Sequence, residues 1–563
     1  MEQTEPSFNL IVVSDLAPGP AGTLRARAVD KDSLDALLRE IGPSIEVPGG
    51  GARSVLTFQE FKDFRPERLA ARLPAITNVL EFRKLVTELA SGGGSLDAVR
   101  ASLRQLGAYP DLARALEAAL SPAPAPATPK ESAPAARPAA PLPSGGLFDL
   151  VDAEGSPPPE TVSPEQMERS AAKLIDAVLG SPSSGSKPAP AALRAVGARA
   201  EEAVAPLIRA VLQDPRFQQL EAAWRGLRLL VRSVDFRAGC RLHVIAAPRA
   251  ALLRAVRDVA LPLADDLRSQ GKTSCLLLDF SFDGSEEELV GIAEEAAPRS
   301  LPVIASAGLE VAMRDLAAGM GDASQGAWVK LRSAPAARWL ALAANRFLLR
   351  VPYGADGDPA KNLAFEEITG PDPRLPWGHP GWLLAAMVAG SFARTGWGVD
   401  FAGREAAAGL EALPMRPGGE ETTPLESDLT EAAANALGGA GLLPFACRRG
   451  NDHPFAAGTS TVYKAEKDEP ATTLRYALFT ASVAAATESL LGHIDLTFSI
   501  EEIARTIGAA LQLMGMTQGG SVYTASAAVV SGGRSAIAVR IKPQGGVLRG
   551  LPDLSFEVPI SLH

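Results

Sequence analysis

Ser274-Cys275-Leu276-Leu277-Leu278-Asp279-Phe280 is an apolar run broken only near its end by one carboxylate. A stretch of this length with no alternation of polar and apolar residues predicts a strand buried on both faces, as parallel strands are when helices cover each side of a sheet. Its surroundings agree. Residues 286–296 carry helical spacing, and Leu301-Pro302-Val303-Ile304-Ala305-Ser306 is a second buried run. Upstream, Ala203–Val231 reads as one long helical region and Arg241-Leu242-His243-Val244-Ile245 as another strand. Strands that alternate with helices predict an α/β fold, here mixed sheets with packed helices.

The chain has 563 residues, 46% of them hydrophobic. That is apolar material for more than one core, since single cores stop growing at roughly 250–300 residues. The clearest boundary is Ser121–Pro143, with eight prolines in 23 residues. Proline removes backbone donors and favours extended geometry, so this stretch predicts a semi-rigid spacer with a reach of about 3.1 Å per residue. A small α/β domain is expected over 1–120, a Pro/Ala-rich linker over 121–162, a helix with a flexible connection over 163–199, and a larger α/β domain over 200–563.

In the first domain Asn9–Ser14 reads as a buried strand. Asp32–Ile41 reads as a helix with Leu34, Leu37, Leu38 and Ile41 on one face, and Pro66–Leu73 and Ala75–Leu89 as two more. Within the linker, Leu147 and Phe148 begin an apolar island that either docks on a partner or turns against its own domain. Ser163–Leu179 has an apolar stripe that includes Leu174 and Ile175.

Composition and motifs argue against several functions. A net charge of −10 offers no basic face for a nucleic acid. The N-terminus is acidic where a secretory signal needs a basic region, and the apolar runs fall short of the roughly 18–20 residues that span a bilayer. A cytoplasmic protein with no direct membrane insertion is expected. Cys240, Cys275 and Cys447 are far apart and suit reduced core thiols. His243, His379, His453, His493 and His563 lack the close spacing of metal ligands.

Gly271-Lys272-Thr273 before Asp279 imitates a P-loop, but Asp266 stands where its first glycine belongs, and the triplet precedes a strand instead of following one. Ile304-Ala305-Ser306-Ala307-Gly308 imitates a nucleophile elbow without the first glycine, so small residues that let a helix approach the sheet are the simpler reading. Glu366 and Glu367 are adjacent and point to opposite faces of a strand, which predicts one paired and one solvent-exposed carboxylate, not a catalytic pair. No catalytic, cofactor-binding or metal-ligating residue is expected, and no cofactor.

A set of motifs in fixed order carries a resemblance. Leu220-Glu221-Ala222-Ala223-Trp224-Arg225-Gly226-Leu227, then Asn345-Arg346-Phe347-Leu348-Leu349-Arg350-Val351-Pro352-Tyr353-Gly354 and Phe365-Glu366-Glu367, resemble the large subunit of the contractile sheath of type VI secretion systems. So do Leu375-Pro376-Trp377-Gly378, Ser391-Phe392-Ala393-Arg394-Thr395-Gly396-Trp397 and Gly441-Leu442-Leu443-Pro444-Phe445, and this likeness spans about 200–562. Leu10–Leu16, Lys31–Leu38, Gly42–Ile45, Leu56–Phe58, Phe61–Glu67 and Leu80–Leu85 are similar to the small sheath subunit, over about 7–118. The two subunits, ordinarily separate polypeptides, are joined here in one chain.

The resemblance implies a structural protein that polymerises helically around an inner tube and contracts to propel it. The implied partners are other copies of the chain, the inner-tube protein, a baseplate and an AAA+ recycling unfoldase, which would grip the helix carrying Leu174 and Ile175. Two interfaces are expected. The helix with Leu80, Phe82, Leu85 and Leu89 would join the small region to the large. The alternating strand with Leu554, Phe556, Val558 and Ile560 would extend a neighbour's sheet by β-augmentation or form an edge of its own domain. Arg346 and Arg350 suit either a register lock between subunits or ion pairs within the domain. The alternative functions are a sheath of another phage-tail-like injection apparatus and a cytosolic α/β enzyme with a site assembled in three dimensions.

Overall fold

In a computed structural model of the chain, the run around Leu276 becomes the ten-residue strand Thr273–Phe282 inside an eight-stranded sheet. The structure describes residues 7–120 and 189–560, apart from 310–322 and several interruptions of one to seven residues. The linker, the island at Leu147 and Phe148, and the expected helix Ser163–Leu179 with Leu174 and Ile175 lie outside the described residues.

The strands run in the order Phe455–Ala456, Leu443–Ala446, Leu340–Ala344, Val303–Ala307, Thr273–Phe282, Phe8–Ser14, Cys240–Ala246, Ala26–Val29. The six inner strands are parallel, and the two outermost pair antiparallel. The N-terminal strand is therefore central. Every residue of Phe8–Ser14 is buried and has neighbours on both sides, from Phe8 beside Cys240 and Thr273 to Ser14 beside Ala246 and Asp279.

Both faces of the sheet are covered, which is why its strands are continuously apolar. On one face Ile11, Val13, Leu276, Leu278, Val303 and Leu340 join a core completed by the helices Leu261–Ser269 and Glu287–Ala296. On the other lies Gly381–Thr395, a helix buried nearly all round, with the Phe392 ring stacked 5.4 Å from Phe8. Gly381 allows a close approach there: a Cβ would lie 2.9 Å from Ser306 Oγ, and the Gly381 N–H donates to that hydroxyl at 3.0 Å. Ser306, in the imitation elbow, is thus a packing residue at a helix end.

By contacts the chain divides into two compact units: Met1–Val47, Val55–Pro66 and Leu212–His563 form one, and Pro48–Ser54 with Glu67–Val211 the other. Each unit takes residues from both sides of the linker. In the first, the N-terminal strand lies within the sheet of the C-terminal part. The second is helical. Its helix Pro74–Ala90 buries Ile76, Val79, Phe82 and Val86, and the helix Pro190–Leu212 reaches it through Arg83 and Glu201 at 3.0 Å. Of the four residues expected to make this contact, Phe82 is interior, while Leu80, Leu85 and Leu89 are half-buried. The fully buried stripe of this helix is Ile76, Val79, Phe82, Val86 and Ala90.

Ala203–Val231 is two helices, not one. Asp214 caps the second, accepting from the N–H groups of Arg216 and Phe217, and Pro215 fills its first position, so the break is encoded by an Asp-Pro pair. The C-terminal part of the first unit adds an antiparallel three-stranded sheet, Tyr523–Val529, Ala536–Pro543 and Leu554–Pro559. The helix Ile500–Met514 packs on it, started by a capping box between Ser499 and Glu502.

Candidate functional site

The motif residues converge within the first unit. Glu221 projects from the helix Pro215–Ser233 and meets Arg350 and Glu367, brought in by the segments after the strands Leu340–Ala344 and Phe347–Leu348. Arg350 Nε and Nη2 donate to the two oxygens of Glu221 at 2.8 and 3.1 Å, and Nη1 and Nη2 to those of Glu367 at 2.7 and 2.9 Å. Arg225 Nε donates to the same Glu221 at 2.8 Å, and its Nη2 to the Tyr353 hydroxyl at 3.3 Å. The Tyr353 ring lies 4.1 Å from the Arg350 guanidinium carbon, and its backbone N–H donates to Glu367 at 2.8 Å.

These side chains are almost sealed: Glu221 is 1% exposed, Glu367 3% and Arg350 8%. Burial opposes the charged form of Glu221, but Arg350 and Arg225 outweigh it and hold its carboxyl below the ordinary range. Burial likewise opposes the charge on Arg350, and its two carboxylates restore it and more. Two positive and two negative charges balance, with nearly every lone pair and proton used. That completeness makes so buried a cluster tolerable. It ties the helix Pro215–Ser233 to the segments that carry Arg350 and Glu367.

A second device lies beside it. Asn345 takes a positive φ of 81°, and its side chain bridges Ser427 and Phe445 by three hydrogen bonds of 2.8–3.1 Å. Arg346 is held by both oxygens of Glu426, with Nε to Oε2 at 2.9 Å. Arg65 makes a bidentate pair with Asp358 at 3.0 and 3.1 Å. Arg346 and Arg350 therefore form ion pairs within the chain, where a lock between subunits was the other expectation. Of the adjacent glutamates, Glu367 is buried and paired, while Glu366 is exposed and accepts from the Ala355 N–H at 2.9 Å; the segment that carries them is a loop, not the strand expected.

Trp224, the third part of the set, joins the seam directly. Its indole N–H donates to the Leu16 carbonyl at 3.1 Å, just beyond the central strand Phe8–Ser14. Two residues on, Gly226 lies under the Trp382 indole, where a Cβ would come within 2.6 Å of the ring carbon Cε2. Phe58, Phe64 and Phe217 stack with centroids 4.5–6.0 Å apart and hold the segment from the small domain against the same helix.

The terminal strand has its partner in its own chain. Leu554 pairs with Ile541, Phe556 with Val539 and Val558 with Ile537; Leu554, Val558 and Ile560 are buried and Phe556 half-buried. The edge-strand alternative thus describes its inner side, while its outer side has no partner among the described residues. Nearby, Leu513, Met514 and Met516 stand 71%, 43% and 55% exposed at the end of the helix Ile500–Met514, an unusual concentration of large apolar groups in solvent.

Burial pushes the Cys240 thiol up to about 12 and the Cys275 thiol higher still, so both are inert interior groups. Among the described residues no cluster of His, Cys, Asp or Glu could hold a metal ion, and no helix is long and apolar enough to cross a membrane.

Two family models match in chain order: Type VI secretion system, VipA, over residues 1–121, and the EvpB tail sheath N-terminal domain, VipB, over 196–264 and 274–463. The chain is similar to the type VI secretion system sheath protein TssC1 of Pseudomonas aeruginosa, with 27% identity over 298 residues, 47% of this chain. The match spans 60% of that relative's length. Two solved assemblies are similar over 60% of the chain, the anti-feeding prophage baseplate and the anti-feeding prophage helical sheath in its contracted state. Their identities are 13% and 12%, they are covered over 77% and 78% of their own chains, and the TM-scores are 0.33 and 0.30.

Proposed function

Because this chain belongs to the type VI secretion sheath family, with the small- and large-subunit regions in one polypeptide, we propose that it is a structural subunit of a contractile sheath. It polymerises helically around an inner tube and shortens to propel the tube. The observation that carries this reading is the central position of Phe8–Ser14 between Cys240–Ala246 and Thr273–Phe282. A strand from the small-subunit region completes the sheet of the large-subunit region, so one fused chain supplies a whole protomer. Removing it would leave two rows of unpaired backbone groups inside a core.

No substrate is turned over. A helical polymer needs heterologous contacts that do not close on themselves, and work comes from the lower free energy of the contracted lattice relative to the extended one. The buried ion cluster suits this role because a protomer that slides on its neighbours must itself move as a rigid body. The open outer edge of Leu554–Pro559 and the exposed Leu513, Met514 and Met516 are the surfaces proposed for contacts between copies. The inner-tube protein, a baseplate and an AAA+ unfoldase are the other proposed partners.

Negative-stain microscopy of the purified full-length chain, concentrated stepwise with and without an inner-tube protein, tests the assignment. Hollow helical tubes are expected. Particles that stay monomeric at every concentration, with the inner tube present, would overturn it.

A further inference from the structure

A cleft of about 790 Å³ opens at the carboxyl ends of the parallel strands. Its floor is Asp15, which follows Phe8–Ser14, and Asp279, near the end of Thr273–Phe282. The strand order turns here. From Cys240–Ala246 the chain crosses over Phe8–Ser14 to Thr273–Phe282, and then moves outward to Val303–Ala307 and Leu340–Ala344. In open parallel sheets the crevice outside such a turning point is where ligands sit.

The buried and half-buried charges around the cleft are matched with one exception, and Arg374 stands exposed at its mouth. Arg249 is paired with Glu288 at 3.1 Å and lies 4.2 Å from the Phe282 ring centroid. Arg346 is paired with Glu426 and lies 6.0 Å from the Trp377 centroid. Each guanidinium thus has a carboxylate and an aromatic ring. Asp279 is satisfied by the Ser14 hydroxyl at 2.7 Å and by His379 Nδ1 at 2.8 Å. Asp15 remains. It is only 9% exposed, and its Oδ1 has no hydrogen-bond partner although it is sealed from solvent. A buried carboxylate without a donor is expensive, and natural structures rarely keep one unless a ligand supplies what is missing.

We propose that this cleft receives an alkylguanidinium or alkylammonium group, whose cation donates to Asp15. Such a cation, set against the part of Asp15 that lines the cleft, neutralises a charge that otherwise repels Asp279, and the amide oxygen of Gln218 on the cleft wall offers a further acceptor. The cation comes either from an Arg or Lys side chain of a neighbouring protein or from a free polyamine.

Calorimetric titration of the full chain at pH 7.5 with ethylguanidinium, acetyl-arginine amide and spermidine decides between these. A side-chain source predicts saturable binding of the two guanidinium probes with no advantage for spermidine, and a polyamine source predicts the reverse order. Asp15→Asn should weaken whichever binds about 10- to 100-fold, the worth of a charge-assisted hydrogen bond. Ala222→Phe, which narrows the cleft from the neighbouring helix without touching Asp15, should do the same and keeps the test valid if Asp15→Asn fails to fold.

Equal binding in wild type and both variants would overturn the proposal, as would no binding by any probe. A third overturning result is binding that appears only in Arg374→Ala, which would mean that this exposed arginine of the cleft mouth already fills the site. Saturable binding of inorganic phosphate to the cleft in place of the cations would also refute it.

Discussion

Arg350→Met removes the centre of the buried ion cluster and nothing else of its shape. Glu367 keeps only the Tyr353 N–H, Glu221 keeps Arg225, and one uncompensated negative charge is left in a site whose carboxylates are 1% and 3% exposed. Breaking a buried pair in this way costs about 3–5 kcal/mol. Spread over the first compact unit of about 400 residues, with an unfolding entropy of about 2.1 cal/mol/K per residue, this lowers Tm by about 4–6 °C. The triple change Glu221→Leu, Arg350→Met, Glu367→Leu removes both buried carboxylates together with the cation and should recover most of the loss, since a well-packed apolar cluster is often no less stable than the ions it replaces. Near-UV circular dichroism, which follows the neighbouring buried Trp224 and Trp382, reads the melting of all three proteins. Because Glu221 is held below its ordinary pKa, its contribution is present above the unfolded carboxylate value and disappears as pH falls through the folded one. If Arg350→Met melted within 1 °C of wild type, or the triple variant fell further than the single, the account of the cluster as a closed set of matched charges would be wrong.

Gly226→Ala should destabilise by about 1–3 kcal/mol in spite of alanine's better helix propensity, because its methyl meets the fully buried Trp382 indole; urea unfolding measures it. For Asp15, burial and then the neighbouring Asp279 raise the pKa from 3.8 to about 6. The folded chain then holds a proton that the unfolded chain has lost, and stability falls as pH rises from about 4 to about 6. Asp15→Asn should therefore be about 1–2 kcal/mol more stable than wild type at pH 7.5, after allowance for solvent screening at the cleft mouth, and no more stable at pH 4. Asp279, His379, Glu426, Arg249, Arg346 and Arg374 share the cleft, so the comparison is made between these two proteins across the whole pH range. Truncation after Pro552 strips Leu554, Val558 and Ile560 from the sheet that contains Ile537, Val539 and Ile541, about 5–8 kcal/mol of burial. Limited proteolysis should then cut within 523–543, and resistance equal to wild type would show that the strand serves only contacts between chains.

The elements were legible where the chain gives a periodic or uninterrupted signal. Phe8–Ser14, Thr273–Phe282, Val303–Ala307 and the helix Leu34–Ile41 fall within a few residues of where apolar spacing puts them. Their arrangement was not legible. An unbroken apolar run says that both faces of a strand are covered, but nothing in Asn9-Leu10-Ile11-Val12-Val13-Ser14 says that its neighbours are 232 and 265 residues away. The resemblance supplied the partnership of the two regions and suggested the helix with Leu80, Phe82, Leu85 and Leu89 as the contact; it did not name the strand Phe8–Ser14 as a seam. The ion cluster shows the same limit in chemical terms. Glu221, Arg350 and Glu367 each interrupt an apolar window, and a charge there signals a buried partner. Which partner it is depends on loops that bring residues 129 and 17 positions apart to 2.7–2.8 Å. Asp15 gave no such signal, since a carboxylate just past a strand ordinarily faces water. Only the turn in strand order around Phe8–Ser14 places it in a crevice beside Asp279, and strand order is a property of the assembled sheet that no local stretch of sequence contains.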